Sequence, residues 1–180
     1  MTPAARTDAP TPVAWRALAS PLGELLVVAT GGRIAGLYFD DHRGKPAIQP
    51  HWLEHAHSGT PSPDRAVLER AALQLREYLV AGSRSAFDLP LGPTGTPFQL
   101  QVWNQLQTTG FGTTCSYRDV ATAIGRPSAV RAVAAAVGRN PISIVVPCHR
   151  VVGSRGELTG YAGGLDRKRT LLDLEASAPR

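Results

Sequence analysis

Sulfur is scarce in this chain: 180 residues carry two cysteines and one methionine. Two thiols, Cys115 and Cys148, cannot staple a small secreted scaffold or fill a four-ligand zinc site. No metal is expected, and a reducing, cytoplasmic setting is. Long apolar runs are missing as well. Nothing approaches the roughly 18 to 20 apolar residues that a bilayer crossing requires, and no charged, apolar and small-residue leader opens the chain. A membrane partner is not expected. Acidic residues are outnumbered, 14 against 19 Lys and Arg, for a net charge of +5. That excess leans toward a polyanionic partner, though a modest surplus of arginine is more often an ordinary solvated surface.

What is present organises into two parts. Residues 1–12, "MTPAARTDAPTP", have too little apolar surface to offset the entropy of ordering and read as a loose tail. Over Val13 to Phe39, β-branched and aromatic segments are punctuated by Ser20-Pro-Leu-Gly23 and Thr30-Gly-Gly32, the pattern of an antiparallel meander. Residues 40–60 read as a solvated loop. His42, His51, His55 and His57 within it suggest a metal, but no cysteine lies near. Ser62 caps a helix with Pro63 at its first position and Val67, Leu68, Ala71, Ala72, Leu75, Tyr78 and Leu79 at helical spacing, covering one face of the meander. A Pro/Gly-rich linker, 91–96, separates this 13–90 domain from a second domain at 97–176, with a short tail at 177–180. The fold class expected is α+β: a small N-terminal antiparallel sheet with a covering helix, then a mostly α-helical C-terminal domain with a helix-turn-helix and an active-site loop.

In the second part, Thr96 and Pro97 open a helix whose apolar face is Phe98, Val102, Trp103 and Leu106. Ser116 caps a short helix through Ala123, Gly125-Arg-Pro127 breaks it, and Ser128 is placed to cap another through about Gly138. Two short helices around a tight turn are the pattern of a helix-turn-helix, and equally of a helical hairpin in a core. Ala129, Ala132, Ala134, Ala135 and Ala136 make the second helix thin, with Arg126, Arg131 and Arg139 around it. It has few long polar side chains for reading base edges, so it suits close approach to a surface and contact with phosphates.

The run Val145-Val-Pro-Cys-His-Arg-Val-Val152 carries the chemistry. A thiol among valines is ordinarily a small buried hydrophobe. Pro147 marks where a strand ends or becomes irregular, which puts Cys148 at an edge or mouth. His149 and Arg150 supply the setting that lowers a thiol pKa from about 8.5. Adjacent residues of an extended chain point to opposite sides, so contact between Cys148 and His149 needs a bend or a bridging water. Cys115 has no basic neighbour nearer than Arg118 and reads as structural.

Residues 140–175, "NPISIVVPCHRVVGSRGELTGYAGGLDRKRTLLDLE", resemble the active-site block of the methylated-DNA–protein-cysteine methyltransferases, the O6-alkylguanine-DNA alkyltransferases. The Asn-Pro pair, the Pro-Cys-His-Arg core and Tyr-x-Gly-Gly-Leu ahead of a helix ending in glutamate match in order and spacing. The similarity reaches back to about Thr96; the N-terminal half is similar in architecture alone. The resemblance implies repair of O6-alkylguanine, and less well O4-alkylthymine, in double-stranded DNA. The alkyl group passes once and irreversibly to Cys148, the nucleotide being flipped out through the minor groove. It implies that His149 takes the thiol proton through a water, with Glu175 orienting it, and that Asn140 organises the turn before the active-site strand. Tyr117 serves the 3′ phosphate and the guanine N3, and Arg131 fills the space of the flipped nucleotide. Arg126, Ser128, Ala129, Ala132 and Arg139 complete the DNA surface, and Val151, Tyr161, Ala162 and Gly163 the lesion pocket. Position 162 is alanine where many relatives have serine, and the N-terminal half lacks the cysteines that some relatives use for zinc. No cofactor is implied; the expected protein is a monomer in solution, with cooperativity on DNA left open. A cysteine hydrolase and a helix-turn-helix redox regulator are the rival chemistries.

Overall fold

The computed structural model describes residues 13–48, 53–54 and 62–178. Ala14–Leu18 (β1), Leu25–Thr30 (β2) and Arg33–Phe39 (β3) form the antiparallel meander that their β-branched and aromatic residues predict. A two-residue strand, Leu53–Glu54 (β4), adds to β1 in parallel, giving the order β3-β2-β1-β4. This corrects the expectation of unbroken loop over 40–60: the open edge of β1 selects the pairing, and two residues leave no periodicity to read. The solvated-loop reading is also corrected at His42. It is 6% exposed and packs edge-on to Tyr38 and stacked on Phe39. His51, His55 and His57, the tail read over 1–12 and the last two residues lie outside the described residues.

Pro63–Leu79 (α1) starts where Ser62 accepts a hydrogen bond from the Arg65 amide and proline occupies the first turn. Its apolar face, Val67, Leu68, Ala71, Leu75, Tyr78 and Leu79, is buried against the sheet. The far edge of the sheet, β3, is not left open. Ile34 exchanges backbone hydrogen bonds with Pro90 and Gly92, both at 2.8 Å. Leu37 donates to the Pro141 carbonyl at 2.8 Å and accepts from the Ser143 amide at 3.0 Å. One strand edge therefore fixes the segment that leaves the N-terminal half and the loop that leads into Cys148. A single apolar cluster runs across both halves, from Leu25 and Phe39 to Trp103, Val133, Ile144 and Val151.

The remaining elements are Pro97–Leu106 (α2), Cys115–Ser116 (β5), Tyr117–Ala123 (α3), Val130–Val137 (α4), Val151–Val152 (β6) and Leu165–Ser177 (α5), with β5 and β6 paired in parallel. Capping boxes start α2 (Thr96 with Gln99) and α3 (Ser116 with Asp119). The helix-turn-helix is present as α3 and α4, but Ser128 does not cap α4. Ala129 is the cap residue, without a side-chain bond, because residues 126–129 are taken up by a turn closed from the Ala129 amide to the Arg126 carbonyl at 2.9 Å. The valine run is corrected too. Residues 145–147 are not strand, and Cys148–Arg150 is a turn of 3-10 helix. Asn140 is the cause: its side chain donates to the Val146 carbonyl and accepts from the Ile142 amide, so backbone groups that a strand would pair outward are satisfied inward.

Trp103, 2% exposed on α2, donates from its indole to the Ala136 carbonyl on α4 at 2.9 Å. Trp103→Phe keeps an aromatic ring, removes the donor and leaves a gap. It should destabilise the protein by about 2–3 kcal/mol, seen as a lower urea midpoint at unchanged slope.

Candidate active site

The chemistry collects around one buried carboxylate. Glu175, on α5, is 3% exposed. Its Oε1 accepts from the Tyr78 hydroxyl at 2.5 Å, from Arg150 at 2.9 Å and faces His149 Nε2 at 2.8 Å. Its Oε2 accepts from Arg150 Nε at 3.0 Å and from the Gly112 amide at 2.9 Å. The donors arrive from α1, from the turn at 112, and from the 3-10 turn. Gly112 suits its place because its φ of 67° is left-handed and a Cβ there would lie 3.2 Å from the Glu175 carbonyl. Arg150 also reaches the Thr109 carbonyl at 2.5 Å. A carboxylate as acceptor fixes the imidazole as the Nε2–H tautomer, which leaves Nδ1 a lone pair. Among the described residues Nδ1 is buried without a hydrogen-bond partner.

Cys148 is 5% exposed. Its Sγ accepts from Asn140 Nδ2 at 2.9 Å, the same amide that holds the Val146 carbonyl at 2.8 Å. The expected mouth position and lowered thiol pKa are both corrected. Burial pushes the thiol up to about 11, against the Asn140 hydrogen bond and the charge of Lys168, which pull it down. Burial likewise lowers the His149 pKa, outweighing Glu175, so the imidazole is neutral. The Glu175 carboxyl is pushed up by burial but is carried down to about 2 by His149, Arg150 and Tyr78. The site thus holds a protonated thiol, a neutral base and an ionised acid partner. The loop before Cys148 contains Ile144 at φ 70°, a β-branched residue in the left-handed region.

Cys148, His149, Glu175 and Asn140 are brought together as the sequence suggests. Tyr117 is half-buried, its hydroxyl accepting from Thr159 Oγ1 at 3.4 Å and donating to the Thr159 carbonyl at 3.5 Å. Tyr161 is 8% exposed and meets Phe39 edge-on at 6.0 Å. The Ala162 carbonyl accepts from the Arg43 amide at 3.0 Å, and Gly163 sits so close to Phe39 that a Cβ would come within 2.3 Å of its ring. The Val151 carbonyl accepts from Lys168 Nζ at 2.5 Å, which also reaches the Thr159 carbonyl at 2.6 Å. Arg126, Ser128, Arg131, Ala132 and Arg139 lie exposed, with Ala129 half-buried, on the outer side of the helix-turn-helix. Arg126 also lies over the Phe98 ring at 5.8 Å.

Sequence reasoning missed Tyr78, Gly112 and Lys168, and gave Arg150 only the role of a nearby charge. Tyr78 reads as one more residue of an apolar helix face, and nothing in "DRKR" singles out Lys168. Its full burial against two carbonyls has no signature in the sequence.

Fold and site together define a class: an α+β protein whose helix-turn-helix half carries a buried thiol beside a histidine–glutamate pair. Two family models match the chain: 6-O-methylguanine DNA methyltransferase, ribonuclease-like domain, over residues 13–93, and its DNA binding domain over residues 97–177. The methylated-DNA–protein-cysteine methyltransferase of Mycobacterium tuberculosis is 42% identical over 163 residues, covering 91% of this chain and 92% of that protein. The inducible one of Bacillus subtilis is 45% identical over 147 residues, 81% and 82% of the two chains. The crystal structure of the M. tuberculosis protein in complex with DNA superposes with a TM-score of 0.79 at 41% identity, covering 92% and 94% of the two chains. The chain belongs to the 6-O-methylguanine DNA methyltransferase family.

The buried pair sets an acid limit to stability. Glu175 has a folded pKa depressed from 4.5 to about 2, so its contribution is full above its unfolded value and is lost as pH falls through the folded one. His149, also depressed, opposes folding once the unfolded imidazole protonates below about 6.5. Stability from denaturant melts should therefore hold near neutrality, decline below about pH 6.5 and fall further between about pH 4.5 and 2. Glu175→Gln should flatten the lower part of that curve.

Proposed function

We propose that this protein repairs O6-alkylguanine, and less efficiently O4-alkylthymine, in double-stranded DNA by moving the alkyl group onto Cys148 Sγ, once per molecule. The observation that carries this reading is the Cys148 thiol held by Asn140 at 2.9 Å beside a neutral imidazole braced by an ionised Glu175. Membership of the family and the DNA-bound M. tuberculosis relative support it.

With its pKa pushed up to about 11 by burial, the resting thiol is protonated at pH 7. A base is therefore needed. His149 Nδ1 takes the proton through a bridging water, and Glu175 stabilises the imidazolium that forms. The Asn140 amide and the Lys168 charge favour the thiolate. The thiolate attacks the alkyl carbon, the carbon–O6 bond breaks, and its electron pair passes to O6 and into the purine ring. Tyr117 offers a hydrogen bond or proton at N3 of the departing guanine. The product is a thioether, which neither water nor the histidine cleaves at useful rates, so the site is consumed.

A base inside the stack must be extruded to meet a thiol buried this deeply. The thin outer face of α4 enters the minor groove, and Arg131 occupies the place of the flipped nucleotide. Arg126, Ser128, Ala129, Ala132 and Arg139 meet the backbone, with little sequence preference because few side chains there read base edges. Val151, Tyr161, Ala162 and Gly163 enclose the lesion.

Incubation with a duplex carrying labelled O6-methylguanine should place one label per molecule on protein. Cys148→Ala should bind the duplex and acquire none; label on Cys115 in that variant, or more than one label per molecule, would overturn the assignment. Arg131→Ala loses a wedge that offsets a few kcal/mol of unstacking, so duplex repair should slow about tenfold or more. Reaction with free O6-benzylguanine, if the pocket admits it, should be far less affected. Equal slowing of both would make Arg131 a structural residue.

A further inference from the structure

We propose that Tyr78, supplied by α1 of the N-terminal half, is a positioning residue of the proton relay, its hydroxyl limiting how strongly Glu175 charges His149. The inference rests on His149 acting as the base for Cys148. Tyr78 is fully buried. It lies 71 residues from His149 and 97 from Glu175 in sequence, with its ring held by Phe87 at 5.2 Å and Phe111 at 6.1 Å.

A phenol has one proton to give. At 2.5 Å from Glu175 Oε1 and 3.5 Å from His149 Nε2, that proton belongs to the carboxylate. Oε1 is also the atom facing the imidazole. Each donor on Oε1 draws negative charge away from His149 and makes the imidazolium less favourable. The charged and titratable groups facing His149 are Glu175 and Lys168 from α5, Arg150 and Cys148 on its own turn, and Tyr78 from α1. Burial pulls the Lys168 ammonium below its ordinary pKa, and Arg150 meets the carboxylate through its guanidinium; Tyr78 is the neutral donor that trims the Glu175 field. The protonation threshold of the base is thereby set in part by the N-terminal half. Family resemblance in the site block alone does not reveal this, because Tyr78 lies outside that block.

The test is Tyr78→Phe, which keeps the ring and removes the donor. With its fold checked by melting, the His149 ring should be titrated by NMR in the resting protein. The expected result is an inflection about 0.5–1 pH unit higher than in the wild type, the equivalent of one lost hydrogen bond. The acid limb of the rate of methyl transfer from duplex should move up by the same amount, slowing the variant several-fold on that limb and less on the plateau. An unmoved His149 titration overturns the inference whatever the activity. A moved titration in a protein whose wild type transfers no alkyl group would leave Tyr78 in its role and overturn the repair function instead. If the phenylalanine variant does not fold, biosynthetic replacement of tyrosine by 3-fluorotyrosine strengthens the same donor. The inflection should then fall; no change or a rise overturns the inference.

Discussion

A carboxylate removed from water must be compensated in full, and the site is arranged around that demand. Glu175 receives an arginine, a phenol, a backbone amide and an imidazole. Leaving any one of these out strands charge in a medium that screens it poorly. Because the donors belong to α1, to the turn at 112 and to the 3-10 turn, the carboxylate is satisfied only when all of them have reached their places beside α5. The same requirement that makes the ion pair costly to disturb makes the geometry of His149 reproducible.

The sheet serves this arrangement from behind. Its β3 edge holds Pro141 to Ser143 through Leu37 and holds residues 90–92 through Ile34, so the loop carrying Ile144 in its left-handed conformation is anchored at its start. Asn140 anchors the end, linking Ile142, Val146 and the Cys148 sulfur through one side chain. A strained segment persists where its surroundings overdetermine it, and here both of its ends are hydrogen-bonded into the core. The thiol is thereby presented at a fixed point, shielded and protonated. Alkyl transfer by such a thiol requires a base that works at the moment of attack rather than a standing thiolate.

Much of the architecture was legible in the chain because it is written in local terms. The meander, the capped starts of α1, α2 and α3 and the helix-turn-helix follow from β-branched runs, Ser/Thr caps and Gly/Pro breaks, and these signals act over a few residues. The Pro-Cys-His-Arg core with its flanking Asn140 and Glu175 was legible as a resemblance. The start of α4, the two-residue β4 and the irregular course of residues 145–147 were not. Each depends on a partner distant in sequence or on a side chain that competes with the backbone.

The sequence by itself determined which reactive groups exist and that they fall in one block near the C-terminal end: one thiol with a histidine beside it and a glutamate on the following helix. Tertiary structure alone decided their states. Burial, not the neighbouring basic residues, sets the thiol to about 11, and convergence of His149, Arg150 and Tyr78 keeps Glu175 ionised where desolvation would protonate it. Protonation depends on how much water and which dipoles surround a group, and those are properties of packing among segments far apart in the chain.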